Sequence, residues 1–173
     1  MKPNYKFSSL VLALGLIILL NPFISVFGNN SLSSRLDSLS GELAALKAEK
    51  QRLEANKKLV ADMYQELFGD KNVEAADKYI VENYIQHNPS VTDGRKALKD
   101  ALKTWFKDAP KNKIDIQHLG ADGDFVYIHT RSKMGDKVFS VIDIFRIENG
   151  KVAEHWDVIQ EVPKNTVNPH PMF

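Results

Sequence analysis

SVIDIFRIENGKVAEHWDVIQ, residues 140–160, decides the fold. Two runs rich in Val, Ile and Phe flank Asn149-Gly150, a pair that readily takes the positive φ a tight β-turn requires, so the stretch predicts a β-hairpin. Which side chains share a face depends on the turn, because a slip of one residue moves every side chain to the other side. A two-residue loop pairs Glu148 with Lys151 and sets Asp143 across from Trp156, with His155 and Asp157 facing away. A three-residue loop with Gly150 as a left-handed bulge residue pairs Ile147 with Lys151. Asp143 then lies opposite His155, with Phe145 and Asp157 on the same face, and an imidazole and two acids gather on an apolar surface as a candidate acid/base site.

Working outward, the hairpin strands read as Val138–Glu148 and Lys151–Gln160, and two more apolar strand patterns precede them, Ile114–Leu119 and Phe125–Arg131. Asp122-Gly123 and Gly135-Asp136 punctuate them. Before them the periodicity is helical. Val60, Met63, Tyr64 and Leu67 continue a helix that Gly69 stops, and Asn72 is positioned to cap a second helix through Val73, Ala76, Tyr79, Ile80 and Tyr84. Gln86-His87-Asn88-Pro89 follows as loop, and Arg95–Lys107 forms a third helix with Leu98, Leu102, Trp105 and Phe106 on its apolar face. Helices followed by a run of antiparallel strands imply an α+β domain with the helices on one face of a curved sheet.

The first sixty residues differ in kind. Lys2 and Lys6 precede an apolar run from Phe7 to Phe27 of roughly 20 residues, long enough for a bilayer and with its charges on the cytoplasmic side. Residues 1–28 are therefore expected to be a membrane anchor or a signal peptide, placing the rest outside the cytoplasm, tethered or secreted. Length favours retention, while Val26-Phe27-Gly28 would suit cleavage. Next, Leu32, Leu36, Leu39, Leu43, Leu46 and Leu53 recur at alternate spacings of four and three, with Lys50 and Lys57 as polar members of the same seam. This predicts a coiled-coil stalk over 29–57 that pairs two copies in parallel. The globular domain occupies 58–173.

Composition narrows the function classes. A formal charge of +1 supplies no electrostatic footprint for nucleic acid. Cysteine is absent, which excludes disulfides, thiolate catalysis and cysteine-ligated metal.

The order helix, helix, QHNP, helix, DFVYIHTRS and DIFRIENGKVAEHWDVIQ resembles the NTF2-like α+β cone, and within it the SnoaL-like polyketide cyclase group. YIQHNP, VYIH, FRIENGK, EHWDVIQ and a terminal Met-Phe are similar to a subgroup named as predicted aldol-condensation enzymes. The resemblance covers roughly residues 58–173 and implies a mostly apolar pocket with a few acid/base side chains and no cofactor. By resemblance to the related ketosteroid isomerases, Asp143 stands at the oxyanion-donating acid and Tyr64 at the first-helix tyrosine. Asn88, preceded by His87, stands where the isomerases carry their base, so that carboxylate is missing here. The isomerase pocket also sets the positions of Asp143 and His155 on one face, which favours the bulged register. In many SnoaL-like cyclases a carboxylate follows the strand tryptophan, as Asp157 follows Trp156.

Desolvation by Val, Ile and Phe disfavours a charged Asp143 and suits it to donating a hydrogen bond to an enolate oxygen. His155 is a candidate general base oriented by Asp143 or Asp157. His129 shares a face with Tyr127 and Arg131, and joins His87 and His155 at the site if that face lines the pocket. The catalytic candidates are thus Asp143, His155, His129, His87 and Asp157, with Tyr64, Trp156, Phe145 and Asn88 binding substrate. No HExxH-type pair occurs, so no metal is expected. These residues predict binding of a small apolar carbonyl compound by a homodimer joined through coiled coil and sheet. Any reaction would be cofactor-independent aldol condensation, cyclisation or isomerisation. A non-catalytic ligand-binding or assembly module displayed on the coiled coil is the competing expectation.

Overall fold

The computed structural model describes residues 8–173, with side chains from residue 31 onward. The chain divides into two compact units, Met1–Glu49 and Lys50–Phe173. Helix α1 runs Ser8–Tyr64 and contributes to both. In the first unit Leu32, Leu36, Leu39, Leu43 and Leu46 are each more than half exposed. The expected anchor or signal segment, 1–28, lies outside the residues whose side chains are described. Among the described residues no helix is long and apolar enough to cross a membrane.

The second unit is an α+β domain. After α1 come a π-helical turn, Gln65–Gly69, a 3-10 turn, Val73–Ala75, and the short helix α2, Ala76–Tyr79. Strand β1 spans Ile80–Gln86 and helix α3 spans Arg95–Trp105. Four strands follow: β2 (Asp115–Asp122), β3 (Phe125–Met134), β4 (Lys137–Glu148) and β5 (Lys151–Glu161). Together they form one five-stranded sheet in the order β1-β5-β4-β3-β2. The strands β2 to β5 are antiparallel neighbours, whereas β1 runs parallel to β5.

That parallel edge strand corrects two expectations. The sheet is mixed rather than purely antiparallel, and the second helix stops at Tyr79 instead of reaching Tyr84. Asn72 makes no side-chain cap. Ile80-Val81 and Tyr84-Ile85 carry β-branched and aromatic side chains that favour a pleated surface, and pairing with β5 decides the matter. Gly69 does end the first helical segment, at a point where packing leaves no room for a side chain. A Cβ there would fall 2.7 Å from the Asn112 carbonyl oxygen and closer still to the Gln65 side chain.

The core lies between the helices and one face of the sheet. Val60, Met63, Tyr64 and Leu67 follow helical spacing on one stripe and are buried, as are Leu98 and Leu102 of α3. They meet Val126, Ile128, Phe145, Ile147 and Val152, which alternate along β3, β4 and β5. The opposite sheet face carries Tyr127, Ile142 and Val158, all exposed.

The hairpin follows neither register anticipated from sequence throughout its length. Asn149 and Gly150, with φ of 50° and 74°, form a two-residue turn that pairs Glu148 with Lys151 and Ile147 with Val152. One extra residue then enters β5, so that Arg146 pairs with Glu154, Phe145 with His155 and Asp143 with Asp157. The tight turn thus corrects the preferred three-residue loop. The bulge that follows restores the parity that loop would have given, and Asp143, Phe145, His155 and Asp157 share the inner face.

Candidate active site

Asp143 sits in the middle of β4 with apolar residues on both sides and is 6% exposed. Its carboxylate is nevertheless fully engaged. Tyr64, one of the buried residues on the α1 stripe, donates its hydroxyl to Oδ2 at 2.9 Å. His155, 7% exposed, places Nε2 2.9 Å from Oδ1. The imidazole is stacked on Phe145, with ring centres 4.8 Å apart, and Phe145 in turn meets Tyr64 edge to face. A buried carboxylate without such partners would cost several kcal/mol. Here burial and hydrogen bonding coexist because each oxygen has a directed partner.

The other nitrogen of His155, Nδ1, is 2.8 Å from Oε1 of Gln86, the residue β1 aligns with His155. Gln86 Nε2 donates to the Tyr84 hydroxyl at 3.2 Å. Asp157 lies on the same face at the half-buried margin and accepts a hydrogen bond from the Asn88 side-chain amide. One ligating atom from each of Asp143, His155 and Asp157 lies within 4.8 Å of the others. These three are the described residues that could share a cation, although the approach of His155 to Asp143 is that of a hydrogen-bonded pair. Burial, reinforced by the charge of Asp143, pushes the Tyr64 phenol far above its ordinary range, and burial does the same for Tyr84. Tyr64 therefore keeps the proton it donates to Asp143.

The model for the family described as SnoaL-like polyketide cyclase matches residues 58–165. The chain belongs to this family. Solved structures place the SnoaL-like domain within the NTF2-like fold. A candidate polyketide cyclase from Acidithiobacillus ferrooxidans is 22% identical with a TM-score of 0.53, covering 61% of this chain and 87% of its own. A candidate ketosteroid isomerase from Kribbella flavida is 17% identical with a TM-score of 0.53, the coverage being 67% and 85%. An LEH-like epoxide hydrolase of M. tuberculosis is 15% identical with a TM-score of 0.52 and coverage of 63% and 85%. No curated protein matches the chain.

Of the residues singled out from sequence, the SnoaL-like domain brings together Asp143, His155, Asp157, Tyr64, Phe145 and Asn88. It separates His129, His87 and Trp156 from them. Alternation along β3 turns His129 to the outer face, where Nε2 bonds Ser140 Oγ at 2.8 Å and Nδ1 faces His118 Nδ1 at 3.0 Å. The terminal Phe173 stacks on His129 with centres 5.8 Å apart, so the tail's apolar end docks on its own sheet. Trp156 pairs with Ile144 on that outer face and stacks on His87 at 4.5 Å. His87 itself bonds Glu154, whose other oxygen accepts from Arg146. His87 and Arg146 hold the Glu154 carboxyl below the usual range.

Gln86 and Tyr84 were absent from the sequence-derived site. Both belong to β1, whose local sequence reads as helix and loop; the β-prone pairs Ile80-Val81 and Tyr84-Ile85 are the signal for the strand. Two surface depressions, one lined by Ile85, Arg146 and Lys151 and another by Asp77, Arg95 and Lys99, lie away from the Asp143 cluster.

Proposed function

We propose that the SnoaL-like domain binds a small, largely apolar carbonyl compound at the Asp143 cluster and catalyses proton transfer beside the carbonyl without a cofactor. The observation that carries this reading is Asp143 held between the Tyr64 hydroxyl and His155, with a second carboxylate, Asp157, on the same face at its margin. In this reading Asp157 removes a proton from the carbon next to the carbonyl. The C–H bonding pair becomes the enolate double bond as the carbonyl π pair moves onto oxygen, which takes its place between Tyr64 and Asp143 and receives hydrogen bonds from both. Attack of the enolate carbon on a second carbonyl carbon forms the carbon–carbon bond of an aldol condensation or cyclisation, the π pair of that second carbonyl moving to its oxygen, which takes the proton held by Asp157. Reprotonation at another carbon gives isomerisation.

The test is hydrogen–deuterium exchange at the acidic carbon of simple cyclic ketones and 1,3-diketones, followed by NMR with the full chain. Exchange above the buffer rate, reduced about 10²- to 10⁴-fold by Asp157→Asn, is the expected result. No acceleration with any probe, or acceleration indifferent to Asp157→Asn, would remove the catalytic reading.

The same proposal places the domain outside the cytoplasm, exported and tethered by the apolar run Phe7–Phe27, as a homodimer. The exposed leucines of the 29–57 seam support pairing there, and the exposed Tyr127, Ile142 and Val158 support a second contact through the sheet. One observation favours the alternative, a non-catalytic ligand-binding or assembly module. Among the described residues every buried side-chain polar atom is already partnered, including those of the Asp143 cluster, as a purely structural network would be.

A further inference from the structure

We infer that Gln86 is the positioning residue of the Asp143 site, fixing which nitrogen of His155 carries a permanent proton and so what His155 can do. The inference rests on the reading of Asp143 as the functional centre, but its premises are hydrogen-bond directions alone. The backbone N–H of Asn88 can only donate, and it lies 3.0 Å from Gln86 Oε1. That contact identifies the atom as the amide oxygen. The other end of the amide donates to the Tyr84 hydroxyl. The Gln86 main chain is itself pinned, its N–H donating to Asp93 Oδ1 at 2.8 Å.

An amide oxygen only accepts, so His155 Nδ1, 2.8 Å away, bears a hydrogen. The consequence appears on the other side of the ring. With Nδ1 protonated, a neutral His155 offers a lone pair at Nε2, and an ionised Asp143 offers lone pairs at Oδ1, 2.9 Å away. Two lone pairs at that distance repel, so the contact requires one proton between them, on Nε2 or on Oδ1. The titratable groups around His155 are Asp143 from β4, Asp157 from its own strand, Tyr64 from α1 and Tyr84 from β1.

His155 therefore has no free nitrogen for substrate. It does not act as the general base expected from sequence. It stores a proton for Asp143, which can pass that proton to a developing oxyanion, while Asp157 is left as the base. In the serine hydrolases, by contrast, a carboxylate takes Nδ1–H and leaves Nε2 open to the reacting group. Gln86, a neutral acceptor in the carboxylate's place, turns the imidazole's proton toward the acid.

The experiment is long-range ¹H–¹⁵N correlation NMR of the full chain labelled at histidine, for wild type, Gln86→Leu and Gln86→Glu. Wild-type His155 is expected to show protonated Nδ1 across the pH range in which the domain is folded. Gln86→Leu removes the acceptor, and a lost hydrogen bond of about 1.4 kcal/mol moves the tautomer ratio about tenfold toward unprotonated Nδ1. Gln86→Glu keeps an acceptor and keeps Nδ1 protonated. Unprotonated Nδ1 in wild type, or a Gln86→Leu spectrum identical to wild type, overturns the inference. Where Gln86→Leu does not fold, the other two spectra decide: protonated Nδ1 in both supports the assignment, and its absence in either overturns it. None of these spectra needs a ligand. Failure of carbonyl exchange with the tautomer pattern intact sinks the catalytic reading alone, and the reverse sinks the role of Gln86 alone.

Discussion

Tyr64→Phe isolates the bond on which the site depends. The ring is 6% exposed and packs on Phe68 and Phe145, and phenylalanine preserves that packing. What disappears is the hydroxyl that donates to Asp143 Oδ2. A hydrogen bond to a charged group contributes about 1.5–3 kcal/mol, and a buried acceptor left without its donor bears a desolvation cost of similar size. Asp143 keeps His155, so the expected loss is about 2 kcal/mol, or about 8 °C in melting temperature for a domain of this size. Tyr84→Phe is the internal control. Its hydroxyl accepts one neutral amide hydrogen bond at 3.2 Å, so its loss should stay below about 1 kcal/mol. The assay is urea unfolding of the full chain at neutral pH, read by tryptophan fluorescence, with unchanged m-values confirming that the midpoint reports stability. A Tyr64→Phe loss under about 0.5 kcal/mol, or no larger than that of Tyr84→Phe, would refute a directed bond to a buried carboxylate.

Gly150→Ala should destabilise by about 1 kcal/mol in the same assay, from backbone strain alone, because φ is 74° and nothing lies within 4 Å of the added Cβ. Asn149→Gly should be near neutral. Glu154→Gln should lower the melting temperature at neutral pH. The folded protein holds this carboxyl below its ordinary range, so its contribution is present above that range and lost as pH falls through the lowered value. The gap between variant and wild type should therefore narrow in acid, and a constant offset would contradict the His87 and Arg146 pairing. Leu39→Lys with Leu43→Lys should convert a dimer to a monomer in analytical ultracentrifugation of the full chain, and a monomeric wild type would dispose of the seam.

The fold was legible where local patterns and tertiary context agree. The stripe Val60, Met63, Tyr64, Leu67 and the alternation of Val126, Ile128 and Thr130 each state one period, and both are buried as that period requires. Strand β1 was not legible in the same way. In IVENYIQ only Ile80 and Tyr84 are buried, four residues apart, a spacing a helix also satisfies. Its strand character comes from pairing with β5, some seventy residues later, which no local window contains. The loss of β1 from the sequence reading carried Gln86 away with it, and so the expectation that His155 would be a free base. His129 failed for a different reason. Alternation correctly grouped it with Tyr127 and Arg131, but parity alone does not say which face of a sheet the helices will cover.

The site itself turns on one inserted residue. From Val152 to His155 β5 advances three residues while β4 advances two, from Ile147 to Phe145, and the small, buried Ala153 takes up the difference. Without it the tight turn at Asn149-Gly150 would carry its register onward and set Trp156 opposite Asp143. Glu154 would then face the core, at the cost of burying an unpaired carboxylate, and His155 and Asp157 would face out. With it Glu154 reaches Arg146 and His87 on the outer face. The same half-turn of the strand brings His155 to Asp143 and Asp157 to their margin. Charge satisfaction outside and acid/base assembly inside are therefore one structural event. That is why neither uniform register written for this hairpin could predict it: the turn obeys its own two-residue preference, and the face obeys the burial of everything beyond Ala153.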